Sequence, residues 1–169
     1  MKNVIAKNGN LKFLYVGRLS REKNLSILIE VFNQTQHRLI IAGSGEELAI
    51  LKDKATNNVT FLGYVDNKSL VEIYAECDCF VLPSLSEPWG LVVEEALSMG
   101  LPVIVSDKVG CYEDMVNVHN GIIFDATDPN SLLLAINNMA ENIDSFKAGA
   151  AIYEPLENQQ KQLAAYLEV

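Results

Sequence analysis

The chain has 169 residues, 49% of them apolar and 21% charged, a composition that can build a core without disulfides or metal and excludes a disordered or fibrous protein. Its formal charge of −9, from 13 Lys+Arg against 22 Asp+Glu, argues against a protein that coats nucleic acid or an anionic membrane. The length suits one domain and leaves no room for two of full size.

The first seven residues are too short and too polar for a signal peptide, and no apolar run approaches the roughly 18 residues of a membrane span. A soluble, cytoplasmic protein is expected. A strand is predicted over residues 11–16, followed by Gly17-Arg18-Leu19-Ser20-Arg21-Glu22-Lys23-Asn24 and a helix over 24–35. Further strands are predicted over 38–42, 59–62, 79–82, 102–105 and 121–124, and further helices over 46–55, 68–77, 90–99 and 129–140. Residues 145–169 read as helical in two pieces broken near Pro155, with no strand after them. Strand and helix alternate, and most strands are apolar on both faces, so the expectation is a single doubly wound, Rossmann-like α/β domain. Its mostly parallel sheet would have about six strands, with helices on both faces.

Ligands of such sheets sit at the carboxyl ends of the strands, and the loops there carry the chemistry. In the first, Arg18, Arg21 and Lys23 crowd a segment that opens a helix. Gly17 allows close backbone approach, so the segment reads equally as a phosphate or diphosphate site or as a solvated charged turn. Gly43-Ser44-Gly45 is half of a dinucleotide fingerprint, with Leu48 where the third glycine belongs, which disfavours a nicotinamide or flavin. Cys77, Cys79 and Cys111 make neither a disulfide framework nor a zinc set, and read as reduced structural thiols; no metal is expected. His37 and His119 are isolated and read as ordinary surface residues.

The most informative segment is Glu87-Pro88-Trp89-Gly90-Leu91-Val92-Val93-Glu94-Glu95-Ala96, running from a buried strand into a helix. On a helical wheel of about 100° per residue starting at Leu91, the apolar arc reaches to about 240°. Glu95 falls near 40° on that wheel, inside the arc, and Glu94 near 300°, on the polar side. A carboxylate within a covered face must be paired, hydrogen-bonded or protonated. Glu95 therefore has either a structural partner or a ligand that donates hydroxyls to it. Glu87, just ahead of the helix, reads equally as a cap or as a functional group.

Glu87-Pro88-Trp89-Gly90-Leu91 with Glu95 resembles the E-x7-E signature of retaining GT-B glycosyltransferases of family 4, the glycosyl transferases group 1. Val16-Gly17-Arg18-Leu19 with Lys23-Asn24, Ile41 to Gly45, Phe61 to Val65, Pro83-Ser84, Gly100 to Val103 and Asn120-Gly121 follow in the order of that family. Cys111 and Asp114 depart from it, standing where many members have glycine and glutamate. The resemblance implies half of a GT-B fold: residues 1–169 as the nucleotide-sugar (donor) domain of an enzyme whose amino-terminal, acceptor-binding domain is absent. It also implies a UDP- or GDP-sugar donor without metal or other cofactor, and membrane contact only through the absent domain.

By that resemblance Arg18 and Lys23, after Gly17, neutralise the diphosphate. Glu87 and the backbone of Pro88, Trp89, Gly90 and Leu91 contact the transferred sugar and its phosphate, Glu95 holds the ribose, and Tyr64 and Val65 face the base. Glu87, Arg18 and Lys23 are the expected catalytic groups. Two other readings stay open: a nucleotide-sugar binding module without turnover, and a fragment of a GT-B-like epimerase or phosphorylase.

Overall fold

A computed structural model describes residues 9–154. Six parallel strands form one sheet: β1 (Lys12–Val16), β2 (Arg38–Ala42), β3 (Val59–Gly63), β4 (Cys79–Leu82), β5 (Val103–Ser106) and β6 (Gly121–Phe124), in the order β3-β2-β1-β4-β5-β6. All six lie where the apolar runs place them. β4 and β5 are buried along their whole length, whereas the edge strands β3 and β6 keep exposed positions. That contrast is why the central strands read as unbroken apolar runs.

The helices are α1 (Leu25–Phe32), α2 (Leu48–Lys54), α3 (Asn67–Glu76), α4 (Leu91–Ser98), α5 (Tyr112–Met115), α6 (Pro129–Glu141) and α7 (Ile143–Ala150). α1 packs beside α2 and α6, and α4 packs on β4 and β5. Right-handed crossovers between parallel strands then put α1 and α2 on one face and α4 on the other. Local chemistry sets several ends. Asp66 accepts from the Ser69 amide at 3.1 Å at the start of α3, and Asp128 caps α6 ahead of Pro129.

α1 stops three residues short of the predicted 24–35. The Phe32 carbonyl accepts from the amide and hydroxyl of Thr35 and, at 2.9 Å, from the Asn58 side chain, which closes the helix into a turn. α5 is a single turn that periodicity does not show. α7 begins two residues before the predicted segment and ends before Pro155; the rest of 145–169 from Pro155 onward lies outside the described residues. Among the described residues, no helix is long and apolar enough to cross a membrane.

The three cysteines are free and buried. His37 is a correction: it is buried, its Nδ1 accepts from the Leu11 amide at 3.2 Å, and its ring lies against Phe13. Burial lowers its pKa, so it serves the core in its neutral form.

Candidate functional site

β1 pairs with β2 on one side and β4 on the other. The connections diverge there, and that is where a doubly wound sheet opens a crevice beyond its carboxyl edge. The loops after β1 and β4 face each other across it, and they carry Arg18, Lys23 and Glu87.

The β1 loop is held from below and from one side. Tyr15, fully buried on β1, donates its hydroxyl to the Arg18 carbonyl at 2.8 Å. Its own ionisation is pushed far upward by burial and by the charges of Glu87 and Glu22. The Leu19 amide donates to Ser44 at 2.9 Å, and the Glu47 amide to Leu19 at 3.1 Å. This contact needs glycine at position 43: a Cβ there would lie 1.8 Å from the Gly17 carbonyl oxygen, at a φ of +144°. Gly43-Ser44-Gly45 is thus a close-approach loop supporting the neighbouring one.

Beside these loops lies a cleft of about 400 Å³. It is lined by Gly17 and Arg18 after β1, Gly43 and Ser44 after β2, Tyr64 and Val65 after β3, and Asn67 and Leu70 at the start of α3. Arg18 is largely exposed and lies 4.0 Å from Glu22, a separation worth little in water. Glu22 also accepts from Ser20 at 2.6 Å, which holds its carboxyl below the usual range. The guanidinium is therefore free to meet an anion.

Lys23 is placed differently. Its ammonium is ion-paired with the Glu87 carboxylate, and the two side chains are only 16% and 17% exposed. The main chain reinforces this link, because the Leu85 amide donates to the Glu22 carbonyl at 2.8 Å. Glu87 is consequently not a helix cap. The N-cap of α4 is Gly90, at a φ of +95°, where a Cβ would meet Val109 at 2.8 Å.

The β4 loop is also stitched to the loop after β5. The Glu87 amide donates to Lys108 at 3.1 Å, the Gly110 amide to Glu87 at 2.8 Å, and the Cys111 amide to Trp89 at 2.9 Å. Asn24, in the left-handed conformation, adds a link from its side-chain amide to Ala126 at 2.9 Å. Trp89 and Leu91 remain 38% and 53% exposed, an apolar rim on this ordered loop. The exposure of Leu91, which starts the predicted apolar arc, is not what the helical wheel suggests.

The helical phase of α4 requires a second correction. Its buried face is Val93, Glu94, Ala96 and Leu97, so the covered carboxylate is that of Glu94, only 3% exposed. Glu94 Oε1 has no hydrogen-bond partner among the described residues, and burial raises its pKa. Glu95 is half-buried, and the Tyr74 hydroxyl donates to its Oε2 at 3.4 Å. Burial pushes its carboxyl up to about 7, against the pull of Tyr74 and with a smaller push from Glu94.

Of the residues singled out from the sequence, the structure brings Gly17, Arg18, Tyr64 and Val65 to the cleft, and Lys23 to Glu87. Pro88, Trp89 and Gly90 lie on the stitched loop. Tyr15 and Tyr74 were not foreseen, since each is a buried aromatic whose element's pattern is satisfied by packing alone, and neither was Asn67, half-buried at the start of α3. Among the described residues, no group of three His, Cys, Asp or Glu could hold a metal ion.

Comparison with known proteins agrees with this fold. An uncharacterized glycosyltransferase of Methanocaldococcus jannaschii is 33% identical over 135 residues, covering 75% of this chain and 35% of its own length. A glycogen synthase of Mycobacterium tuberculosis is 30% identical over 146 residues, with 80% and 35% covered. The chain thus spans about a third of the length of these relatives. Among solved structures, Anabaena HepE in complex with UDP-glucose superposes with a TM-score of 0.74 at 26% identity, covering 95% of this chain and 49% of that one. The profile of the glycosyl transferases group 1 matches residues 1–151, and the chain belongs to that family.

Proposed function

We propose that this chain is the donor-binding half of a retaining GT-B glycosyltransferase of family 4, taking a nucleoside diphosphate sugar such as a UDP- or GDP-sugar. The observation that carries this reading is the Lys23–Glu87 pair, which joins the loops of β1 and β4 at the sheet's switch point, beside the cleft that Arg18 lines. HepE, bound to UDP-glucose, and a GDP-mannose-dependent mannosyltransferase of Mycobacterium tuberculosis, 38% identical over 105 residues, support the ligand class.

In this reading Tyr64 and Val65 flank the base, Glu95 accepts from the ribose hydroxyls, and Arg18 and Lys23 meet the diphosphate. Glu87 and the backbone from Pro88 to Leu91 meet the sugar. When the bond from the sugar to the diphosphate breaks, charge gathers on the departing phosphate, and the cations that donor binding has drawn to it stabilise that charge. No step in this account calls on a metal ion. A thermal-shift screen of UDP, GDP, ADP and their sugars tests the reading, because a ligand of the folded state raises the melting temperature by mass action. Melting that none of them moves would refute it.

Glu95 makes a pH-dependent prediction. With its carboxyl raised to about 7, it is mostly protonated at pH 6 and mostly ionised at pH 8, and the ionised form is the stronger acceptor of hydroxyls. Affinity for a nucleotide sugar, whose diphosphate does not titrate there, should rise by up to about tenfold from pH 6 to pH 8. Glu95→Gln should bind more weakly and lose that slope, while keeping its melting temperature. Calorimetry at the two pH values decides it; an unchanged slope in the variant removes Glu95 from the ribose site.

A second expectation follows from the wall that these 169 residues supply. Donor turnover by this chain alone should be undetectable with a panel of acceptors, and fusion to an amino-terminal acceptor-binding domain should restore it. An unpositioned acceptor forfeits much of the roughly 7–11 kcal/mol available from proximity. Trp89 and Leu91 form the apolar rim such a domain would cover. Robust transfer by the 169 residues would refute the division of labour.

A further inference from the structure

Resting on the donor-site reading above, the geometry points to a selectivity role for the Lys23–Glu87 ion pair: it makes the site favour a nucleoside diphosphate that still carries its sugar over the bare nucleoside diphosphate. An incoming diphosphate weakens the hold of Lys23 on Glu87, because the ammonium, although it has three donors, then divides one positive charge between two anions in a largely covered site. The loops cannot simply part to separate them. The Leu85 amide is bonded to Glu22, and Glu87 is bonded through its own amide and carbonyl to Lys108 and Gly110.

What remains around Glu87 cannot replace the lost cation. The hydroxyl of Tyr15, whose ionisation feels the charge of Glu87, is committed to the Arg18 carbonyl. The thiol of Cys111 faces the Gly90 carbonyl at 3.8 Å. Arg18, 71% exposed, is the group that meets the diphosphate itself, and Lys108 is paired with Asp107 at 2.7 Å. A diphosphate drawing Lys23 away therefore leaves a covered carboxylate short of donors, next to a new negative charge.

A sugar on that diphosphate changes the balance twice. Its hydroxyls can donate to Glu87 in place of the ammonium, and its ester bond removes one ionisable oxygen from the terminal phosphate. The site accordingly asks for two things of one ligand, an anion for Lys23 and hydroxyl donors for Glu87. A nucleoside diphosphate left after sugar transfer offers only the first, so the same pair that admits the donor promotes departure of the spent nucleotide.

Calorimetry on the 169-residue chain and on Glu87→Gln tests this with UDP and UDP-glucose, GDP and GDP-mannose, ADP and ADP-glucose, and inorganic pyrophosphate. Glu87→Gln releases Lys23 and should bind the bare diphosphate and pyrophosphate roughly fivefold to tenfold tighter. It should bind the matching nucleotide sugar no tighter, so the sugar-to-bare affinity ratio falls by about the same factor. Glu87→Ala should shift the ratio in the same direction, which covers the case in which the amide of glutamine disturbs the loop. If the unaltered chain binds a nucleotide pair and either folded variant leaves the ratio unchanged, or weakens both ligands equally, the selectivity role is wrong and the donor-site reading stands. If the unaltered chain binds none of the six nucleotides, both fall together.

Discussion

Replacing Arg18 and Lys23 together with alanine is expected to weaken binding of a nucleotide sugar by roughly a hundredfold or more, while leaving the affinity for the free nucleoside within about twofold. A charge-assisted contact contributes roughly 1.5–3 kcal/mol, which is about tenfold to a hundredfold per cation. The two cations should not share the loss equally. Arg18, whose side chain is 71% exposed, acts on a phosphate that solvent also reaches, and its single variant belongs at the low end. Lys23 is largely covered, and its removal also leaves Glu87 charged beside the phosphate, so Lys23→Ala should account for most of the effect. Neither side chain belongs to the hydrophobic core, so both variants should fold, with Lys23→Ala losing some stability because Glu87 is left covered and without its cation. Titrations of UDP-, GDP- and ADP-sugars and their nucleosides at moderate salt provide the measurement. Equal nucleotide-sugar affinity in the double variant and the unaltered chain would end the assignment of these cations to the diphosphate.

Glu94→Leu is expected to stabilise the protein by about 2 kcal/mol at pH 8, from replacing a buried carboxylate that lacks a partner at one oxygen with an apolar side chain of similar size. For a domain of this size the melting temperature should rise by roughly 5 °C. Because burial raises the carboxyl pKa in the folded state, the cost of Glu94 is absent below the unfolded value near 4.5 and grows as pH rises through the folded one. The advantage of leucine should therefore be larger at pH 8 than at pH 4.5. Denaturant unfolding at the two pH values checks both statements. A leucine variant less stable than the parent at both pH values would mean that Glu94 has a partner that its surroundings do not reveal.

Glu94 also marks where local reasoning about this chain stops. The apolar residues of α4 cover so wide an arc that the wheel does not define a single inward direction. Which part of the arc is buried depends on what reaches the helix from elsewhere. Tyr153, after α7, and Cys111, after β5, are pushed upward in pKa chiefly by burial, and both lie close enough to Glu94 for its charge to add to that shift. Leu91, at the first turn of α4, stays on the open rim beyond the strands. The inward direction is thus turned by about a quarter of a revolution from the one that the apolar residues alone suggest, which exchanges the environments expected for Glu94 and Leu91.

Other features were legible from sequence because short-range chemistry decides them. The six strands are β-branched and aromatic runs bounded by glycine, proline and asparagine, and their position depends on little beyond twofold alternation and burial on both faces. Loop contents at the carboxyl edge followed from strand order, so Arg18, Lys23 and Glu87 could be named as candidates before any contact was known, and Tyr64 was added by the family resemblance. What the amino-acid sequence by itself determined was this doubly wound order of elements and the charged and glycine-rich loops at one edge of its sheet. Tertiary structure alone decided that Lys23 spends its charge on Glu87, that Tyr15 holds the Arg18 loop from beneath, and that Glu94 rather than Leu91 turns inward. Each of these joins residues distant in sequence or in different elements, and pairing across loops depends on how the strands stack side by side, which no local period encodes.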